Sequence, residues 1–241
     1  MSGWPTRSVV TMGSPYHQFC PVAKAMELLD ERWTLLVVRE LLAGSRHFND
    51  LRRGLPRMSP TLLSKRLNQL VASGVVDRRR EGREVVYTPT AAGEELRSAI
   101  ELLGAWGIRW TGVLGDADLD PKLLMWDLHR NVDLSTVPAG TTVVRFELTD
   151  VPPRQRYWWI VLSPSEADVC DADPGHEISL TVQGSLRDLV AVWRGDHTWA
   201  AVLRAGAVVI TGPARLRPAV TTWFGPSRFA AVPRPDPELV A

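Results

Sequence analysis

The stretch from Met58 to Leu70, MSPTLLSKRLNQL, separates into an apolar and a polar face at the period of an α-helix. Ser59 is a favourable N-cap and Pro60 suits the first helical position, so we expect a helix from Pro60 to Ser73 that ends at Gly74. The leucines of this stretch share the apolar face, which requires a core. The polar face offers hydroxyl, amide and ammonium groups and no acid. Those groups suit solvent, but they also suit base edges and phosphates.

Length and composition favour two domains of ordinary size in a soluble protein. The chain has 241 residues, of which 45% are hydrophobic and 23% charged. No stretch approaches the roughly 20 apolar residues of a membrane helix, and the first residues lack an apolar signal-peptide core. The two cysteines, Cys20 and Cys170, lie far apart and form no disulfide framework. We therefore expect a cytoplasmic protein without a membrane partner.

The net charge of +1 conceals an uneven distribution along the chain. Residues 46 to 83 hold ten basic side chains and three acids, a net charge of +7. Residues 116 to 178 hold five basic side chains and twelve acids, a net charge of −7. This asymmetry predicts a polyanionic partner for the first half only.

The elements around the quoted helix fit a DNA-reading unit. The segments CPVAKAMELLDERWTLLVVRELLAG and SRHFNDLRRGL predict three helices, and GLPRM links the last of them to the helix at Pro60. A short helix followed by a second one with an acid-free polar face is the helix-turn-helix pattern.

A β-hairpin is expected after this pair of helices. VVDRRR and REVVYT form its arms, and Gly82 supplies the positive φ of the turn. An arginine cluster on such a hairpin can simply keep an edge strand soluble. Beside a helix-turn-helix it is better interpreted as a wing on the phosphate backbone or in the minor groove.

The next predicted helix, from Thr90 to about Gly112, has an apolar stripe too large for a wing to cover. The remaining apolar surface suits the same helix of a second chain, which would place two reading helices about 34 Å apart on one DNA face. We therefore expect a homodimer. The candidate dimerisation residues are Leu96, Ile100, Leu103, Trp106 and Trp110.

Residues 18 to 112 resemble the HxlR family of bacterial winged helix-turn-helix transcriptional regulators. CPVAKAMELLDERWTLLVVRELLAG, RHFNDLRRGLPRMSPTLLSKRLNQLVASGVV and YTPTAAGEEL carry the resemblance. It implies a homodimeric repressor or activator that reads double-stranded operator DNA with the helix from Pro60 to Ser73 and uses residues 75 to 88 as the wing. The candidate DNA contacts are Ser59, Thr61, Ser64, Lys65 and Asn68 in the helix, Arg57 and Arg66 as phosphate clamps, and Arg78, Arg79, Arg80 and Arg83 in the wing.

Cys20 is a candidate redox or electrophile sensor. The resemblance implies this role, since some family members sense quinones, aldehydes or oxidants through a cysteine in the same CP segment. A thiol at a helix N-terminus can also have a lowered pKa. No second cysteine lies in this half to resolve a disulfide, and the alternative is a cysteine without a sensing role.

The second half changes character near Asp116, where strands precede helices and predict an α+β domain with an antiparallel sheet. Residues 118 to 232 resemble the sterol carrier protein fold, especially in LTVQGSLRDLVAVWRGDHTWAAVLRAGAVVITGP. That resemblance implies an apolar tunnel, although the large aromatic side chains can equally fill a core. The attachment of this domain to a DNA-binding unit predicts either a pocket for an apolar small-molecule effector or an extra dimer contact. The candidate pocket residues are Trp126, Trp158, Leu189, Trp193, Trp199 and Leu203.

No phosphate-binding glycine loop, nucleophile elbow or zinc-protease helix appears, so we expect no catalytic residues, no metal and no cofactor. The predicted organisation is an N-terminal arm over residues 1–17, a winged helix-turn-helix over 18–115 and a sterol-carrier-like domain over 116–241. The main alternative is a lipid-binding or transfer module whose first half serves for dimerisation.

Overall fold

The computed structural model describes residues 15–111 and 113–235. The chain divides into two units, Met1–Leu103 and Gly104–Ala241. This division falls inside one long helix, twelve residues before the boundary expected from composition. Most of the predicted arm, residues 1–14, lies outside the described residues.

The first unit contains a helical core and a two-stranded hairpin. Its helices are followed directly by the hairpin, and a long helix then leads into the second unit. The elements are α1 (Pro21–Leu29), α2 (Thr34–Leu42), α3 (Phe48–Gly54), α4 (Pro60–Ala72), β1 (Val76–Glu81), β2 (Glu84–Pro89) and α5 (Ala91–Trp110).

Local signals account for the bounds of α4 and the hairpin. The Ser59 hydroxyl accepts a hydrogen bond from the Leu62 N–H at 3.3 Å, which caps the helix. Gly74 has φ +75° just after the helix, and Gly82 has φ +64° in the hairpin turn. Side chains avoid these left-handed conformations, so glycine is favoured at both positions. These predictions are confirmed.

The second unit continues from the end of α5 into a five-stranded sheet with helices on one face. Short 3-10 turns at Asp116–Asp118, Leu134–Thr136 and Pro153–Gln155 connect its elements. The elements are α6 (Pro121–Arg130), β3 (Thr142–Leu148), β4 (Tyr157–Leu162), β5 (Ala167–Cys170), β6 (Leu180–Gly184), α7 (Leu186–Arg194), α8 (Trp199–Arg204), β7 (Val208–Thr211) and α9 (Ala219–Trp223).

The sheet is mixed rather than fully antiparallel, which corrects the expectation. Its strand order is β5-β4-β3-β6-β7, and β6 runs parallel to β3 while the other neighbours are antiparallel. Residues 171–179 return the chain from β5 to the far side of β3, so β6 enters the sheet in the direction of β3. Loops join the antiparallel neighbours β3 to β4 and β4 to β5, whereas α7 and α8 lie between the antiparallel strands β6 and β7. A parallel pair such as β3 and β6 cannot be joined by a hairpin and needs a crossover.

The core of the second unit lies between the sheet and its helices. Phe146, Ile160 and Val182 are fully buried on the covered sheet face, where they meet Trp223 and Phe224 from the C-terminal segment. The opposite sheet face is only partly exposed, because Val143 and Trp159 are buried there while Tyr157 is open to solvent. The expected alternation of a wet and a dry face is therefore incomplete.

Candidate nucleic-acid interface

The structure separates the two faces of α4. Leu63, Leu67 and Leu70 are completely buried in the core of the first unit. The predicted reading residues Thr61, Ser64, Lys65 and Asn68 are all exposed. The outward face is thus a surface of hydroxyl, ammonium and amide groups without an acid, as base edges and phosphates require.

Arg66 does not belong to this outward face. Its side chain is 5% exposed and forms an ion pair with Glu31. It also donates to the Arg32 carbonyl at 3.1 Å and to Gln69 Oε1 at 2.8 Å. A buried guanidinium that is held by three protein partners cannot reach a phosphate, so the predicted phosphate contact is wrong for Arg66. Its role is to attach α4 to the segment before α2.

Ser59 and Arg57 stand at the start of the reading helix. Ser59 is exposed, but its hydroxyl is already used as the cap, which makes a structural role primary. Arg57 is exposed in the short link between α3 and α4. Its position beside the helix N-terminus is compatible with the expected phosphate contact, because backbone N–H groups and positive charge meet there.

A buried acid sets the position of α3 against α2. Glu40 is fully buried beside Arg39, whose guanidinium also donates to the Gly54 carbonyl at 3.2 Å. A Cβ added at Gly54 would lie 1.8 Å from Glu40 Oε2, so the end of α3 needs a glycine. This close approach fixes the first helix of the helix-turn-helix pair.

The wing has the predicted exposure, but its turn lies one residue later than the predicted arms imply, at Gly82 and Arg83 rather than at Glu81 and Gly82, because Glu81 pairs with Glu84. Arg79 pairs with Val86 and Arg80 with Val85 across the hairpin. All four predicted contacts, Arg78, Arg79, Arg80 and Arg83, are exposed. Arg79 bonds Asp77 at 2.8 Å, which leaves less of its charge for a phosphate than Arg78 has.

Two basic residues of α3 were absent from the predicted contacts. Arg52 and Arg53 occupy the last turn of α3 and both are exposed. The first helix of a helix-turn-helix crosses the DNA backbone, where arginine is favourable. Their signal in the sequence is the net charge of +7 over residues 46 to 83, because both arginines lie within that block.

The predicted dimerisation residues fall into two groups. Leu96 and Ile100 pack partly against the core of their own unit. Leu103, Trp106 and Trp110 are 53%, 57% and 41% exposed, and Leu102, which the stripe omitted, is 72% exposed. The apolar surface left uncovered thus lies on the second half of α5.

Cys20 occupies the N-cap position of α1 and is partly exposed. The backbone N–H groups of Ala23 and Val22 lower the pKa of its thiol, although the sulfur makes no full capping hydrogen bond. The chain before it is held by Tyr16, whose N–H donates to Glu27 at 3.0 Å. The geometry therefore favours the thiolate that reactive cysteines use.

The predicted pocket residues belong to a packed region. Trp126, Trp158, Leu189 and Trp199 are buried, while Trp193 and Leu203 are partly buried against the same core. The indole N–H groups of Trp158 and Trp199 donate to backbone carbonyls, each at 2.8 Å. None of the six lines a cleft in this unit whose lining residues lie between Ile108 and Pro235. The packing supports the alternative that these side chains fill the core.

Two negative findings apply to the described parts of the chain. Within residues 15–111 and 113–235 no group of three His, Cys, Asp or Glu side chains is arranged to hold a metal ion. Over the same ranges, no helix has the length and apolar character needed to cross a membrane.

A helix-turn-helix formed by α3 and α4, with a following basic hairpin, defines a winged helix-turn-helix domain. The HxlR-like helix-turn-helix family model matches residues 28–113. The uncharacterized HTH-type regulator YvaP of Bacillus subtilis is 33% identical over 111 residues, which cover 44% of this chain and 95% of YvaP. The chain therefore belongs to the HxlR-like helix-turn-helix family.

Other matches cover the same part of the chain. An uncharacterized HTH-type transcriptional regulator of Mycobacterium tuberculosis is 44% identical over 89 residues, which are 36% of this chain and 56% of that protein. The chain thus spans little more than half the length of this relative. The reduced form of the regulator YodB from B. subtilis superposes with a TM-score of 0.34 at 29% identity, over 37% of this chain and 92% of YodB.

Proposed function

We propose that this protein is a DNA-binding transcriptional regulator that acts as a homodimer. The observation that carries the proposal is the outward face of α4, which is exposed, polar and free of acids directly before an arginine-rich wing. Membership of the HxlR-like family supports the same function, because the relatives of this chain that carry a description are HTH-type transcriptional regulators. No enzymatic family is among these matches.

The proposed contacts divide by chemistry. Asn68 can bond an adenine edge with both amide atoms, and Thr61, Ser64 and Lys65 reach neighbouring bases or phosphates. Arg57 and the wing arginines contact the phosphate backbone, which positions the protein without reading sequence. Arg52 and Arg53 take the place of Arg66 in this set, since both are exposed on α3.

A second copy of the chain is the proposed partner of the exposed part of α5. Leu102, Leu103, Trp106 and Trp110 form an apolar surface that a two-fold pairing would bury against itself. Two reading helices would then meet successive major grooves about 34 Å apart.

A gel-shift titration tests the regulator function. The full chain is titrated against the DNA upstream of its own gene and against random duplex, at several salt concentrations. We expect tighter binding to the upstream DNA, and an affinity for both duplexes that falls as salt rises. Equal affinity for the two duplexes would contradict regulation at that site. A lack of binding to either would favour the alternative, a lipid-binding module with a dimerising first half.

Sedimentation equilibrium tests the homodimer. Trp106→Lys should shift the dimer towards the monomer, because it places a charge in the centre of the proposed contact. Tyr157→Lys is the matched control, since Tyr157 is an exposed aromatic residue on β4. A wild-type chain that stays monomeric at the highest concentration would contradict the proposal.

Sensing through Cys20 is a second candidate function, and the lowered pKa of its thiol favours it. We expect iodoacetamide to modify Cys20 half-maximally at a pH below the ordinary value for a cysteine thiol. A quinone should also weaken DNA binding by the wild type and not by Cys20→Ser. Cys170→Ser is the control. A quinone response that Cys20→Ser retains would reject this function.

A further inference from the structure

A cleft of about 360 Å³ opens in the second unit, and all its lining residues lie between Ile108 and Pro235. This volume is at the lower end of the range for small-molecule sites. The lining combines apolar side chains with several arginines, so its chemistry differs from that of the tryptophan-rich core.

One wall of the cleft is a single face of α7. Arg187, Val190, Ala191 and Arg194 all line it, and their spacing places them along one side of the helix. The apolar pair therefore lies between two guanidinium groups. Other apolar side chains extend this surface across the cleft: Ile108, Val113, Leu114 and Leu119.

Acids neutralise part of the positive charge around the cleft. Arg187 forms an ion pair with Asp116 and donates to the Leu114 carbonyl at 3.2 Å. Arg194 and Arg234 share Asp196, at 2.8 Å and 2.5 Å. Burial raises the pKa of Asp196, but hydrogen bonds from Arg234 and Arg194 outweigh it and leave the pKa below its ordinary value. Asp196 is therefore ionised at neutral pH.

Arg109 carries a charge that no acid in the described part of the chain balances. Its guanidinium is exposed at the cleft, and its Nε donates to the Pro233 carbonyl at 3.4 Å. Among the residues that the structure describes around the cleft, four arginines thus face two carboxylates, a surplus of two positive charges. A guanidinium has a planar array of donors that matches a carboxylate well.

We propose that this cleft binds a small amphiphilic carboxylate, with its anionic group at Arg109 and its apolar body against Val190 and Ala191. The apolar walls make a free inorganic anion a poor fit, and the positive surplus disfavours a neutral or cationic ligand. The proposal concerns the second unit alone and does not rest on DNA binding.

Isothermal titration calorimetry of the full chain tests the site with 1-naphthoate. Three further titrants separate the contributions: 1-naphthalenemethanol has the same ring system without charge, inorganic phosphate has charge without an apolar body, and acetate has the carboxylate alone. We expect saturable 1:1 binding of 1-naphthoate and at least tenfold weaker binding of the other three.

Two variants locate the binding. Arg109→Gln should weaken naphthoate binding about tenfold by removing the charge-assisted bond. Arg204→Gln is its matched control, because Arg204 is an exposed arginine that also donates to a backbone carbonyl, that of Ala200 at 3.1 Å. Ala191→Trp should abolish binding by filling the cleft, and circular dichroism with a thermal scan verifies that it folds.

The titrations of the wild type and the variants decide whether the cleft binds an amphiphilic carboxylate. Binding that weakens in Arg109→Gln and Ala191→Trp but not in Arg204→Gln supports it. No binding of 1-naphthoate, or binding that either cleft variant leaves unchanged, overturns it. Equal binding of 1-naphthalenemethanol overturns the role of the carboxylate, and equal binding of phosphate or acetate overturns the role of the apolar walls.

Discussion

Helices α4 and α7 both present polar groups on one face, but they differ in the acids that accompany those groups. The outward face of α4 has hydroxyl, amide and ammonium groups with no carboxylate among them. The arginines of α7 meet Asp116 and Asp196, and apolar residues lie between them. A polar face without acids suits an extended polyanion, whereas a face whose arginines are paired with acids and separated by apolar residues suits the apolar body of a small ligand, with Arg109 outside α7 for its anionic group.

The largest expected effect is on stability, and it should differ strongly between the neighbouring residues Arg66 and Lys65 of α4. Arg66→Ala should lower the free energy of unfolding by about 3 kcal/mol, because it removes a buried guanidinium that bonds Glu31, the Arg32 carbonyl and Gln69. Lys65→Ala should change it by less than about 0.5 kcal/mol, since Lys65 is exposed. Urea unfolding measures both. Equal effects of the two substitutions would contradict the assignment of Arg66 to the fold.

The next effect concerns reading of the bases. Asn68→Ala should weaken binding to the preferred duplex by about 1–3 kcal/mol and leave binding to random duplex nearly unchanged. Fluorescence anisotropy with both duplexes at one salt concentration measures this difference. If affinity fell by the same factor on both, Asn68 would be a phosphate contact instead.

Serine N-caps at the start of α4 and of α7 allow their contributions to stability to be compared. Ser59→Ala on α4 and Ser185→Ala on α7 should each lower the free energy of unfolding by about 1 kcal/mol. Ser185→Ala should lower the free energy of unfolding more than Ser59→Ala does, because Ser185 is half-buried and its hydroxyl also donates to the Asp188 carboxylate at 2.6 Å. Urea unfolding of both variants measures the two changes. A larger loss of unfolding free energy in Ser59→Ala than in Ser185→Ala would contradict the expected order.

The smallest expected effect lies in the wing. Arg80→Ala should weaken binding to every duplex by about threefold and reduce the slope of log affinity against log salt by about 1, the value for one phosphate contact. Anisotropy titrations at four salt concentrations give the slope. An unchanged slope would mean that Arg80 stays in solvent in the complex.

Local signals made much of the first unit predictable. Ser59, Gly74 and Gly82 act within a few residues, so the bounds of α4 and the turn of the wing follow from the sequence. Arg66 was misassigned because its partner Glu31 lies far along the chain, and helical spacing alone placed it beside the polar face. Periodicity separates faces of a helix but does not identify what each polar side chain meets.

Long-range arrangements in the second unit were harder to predict. Alternation identified its strands, but the parallel pairing of β3 with β6 depends on the path of residues 171–179. The cleft was not predicted at all, because Arg109, Arg187 and Arg234 come together only in the folded chain. The tryptophans of the second half predicted an apolar pocket, whereas the structure buries most of them in the core.

Selection of binding sites from a random duplex library tests most directly whether the outward face of α4 reads DNA. The wild-type chain should enrich a two-fold symmetric motif whose half-sites lie one helical turn apart, about 10 base pairs. Asn68→Ala should lose one or more defined positions of each half-site. Selection that enriches no motif with the wild type would contradict the central claim that this chain is a sequence-reading regulator.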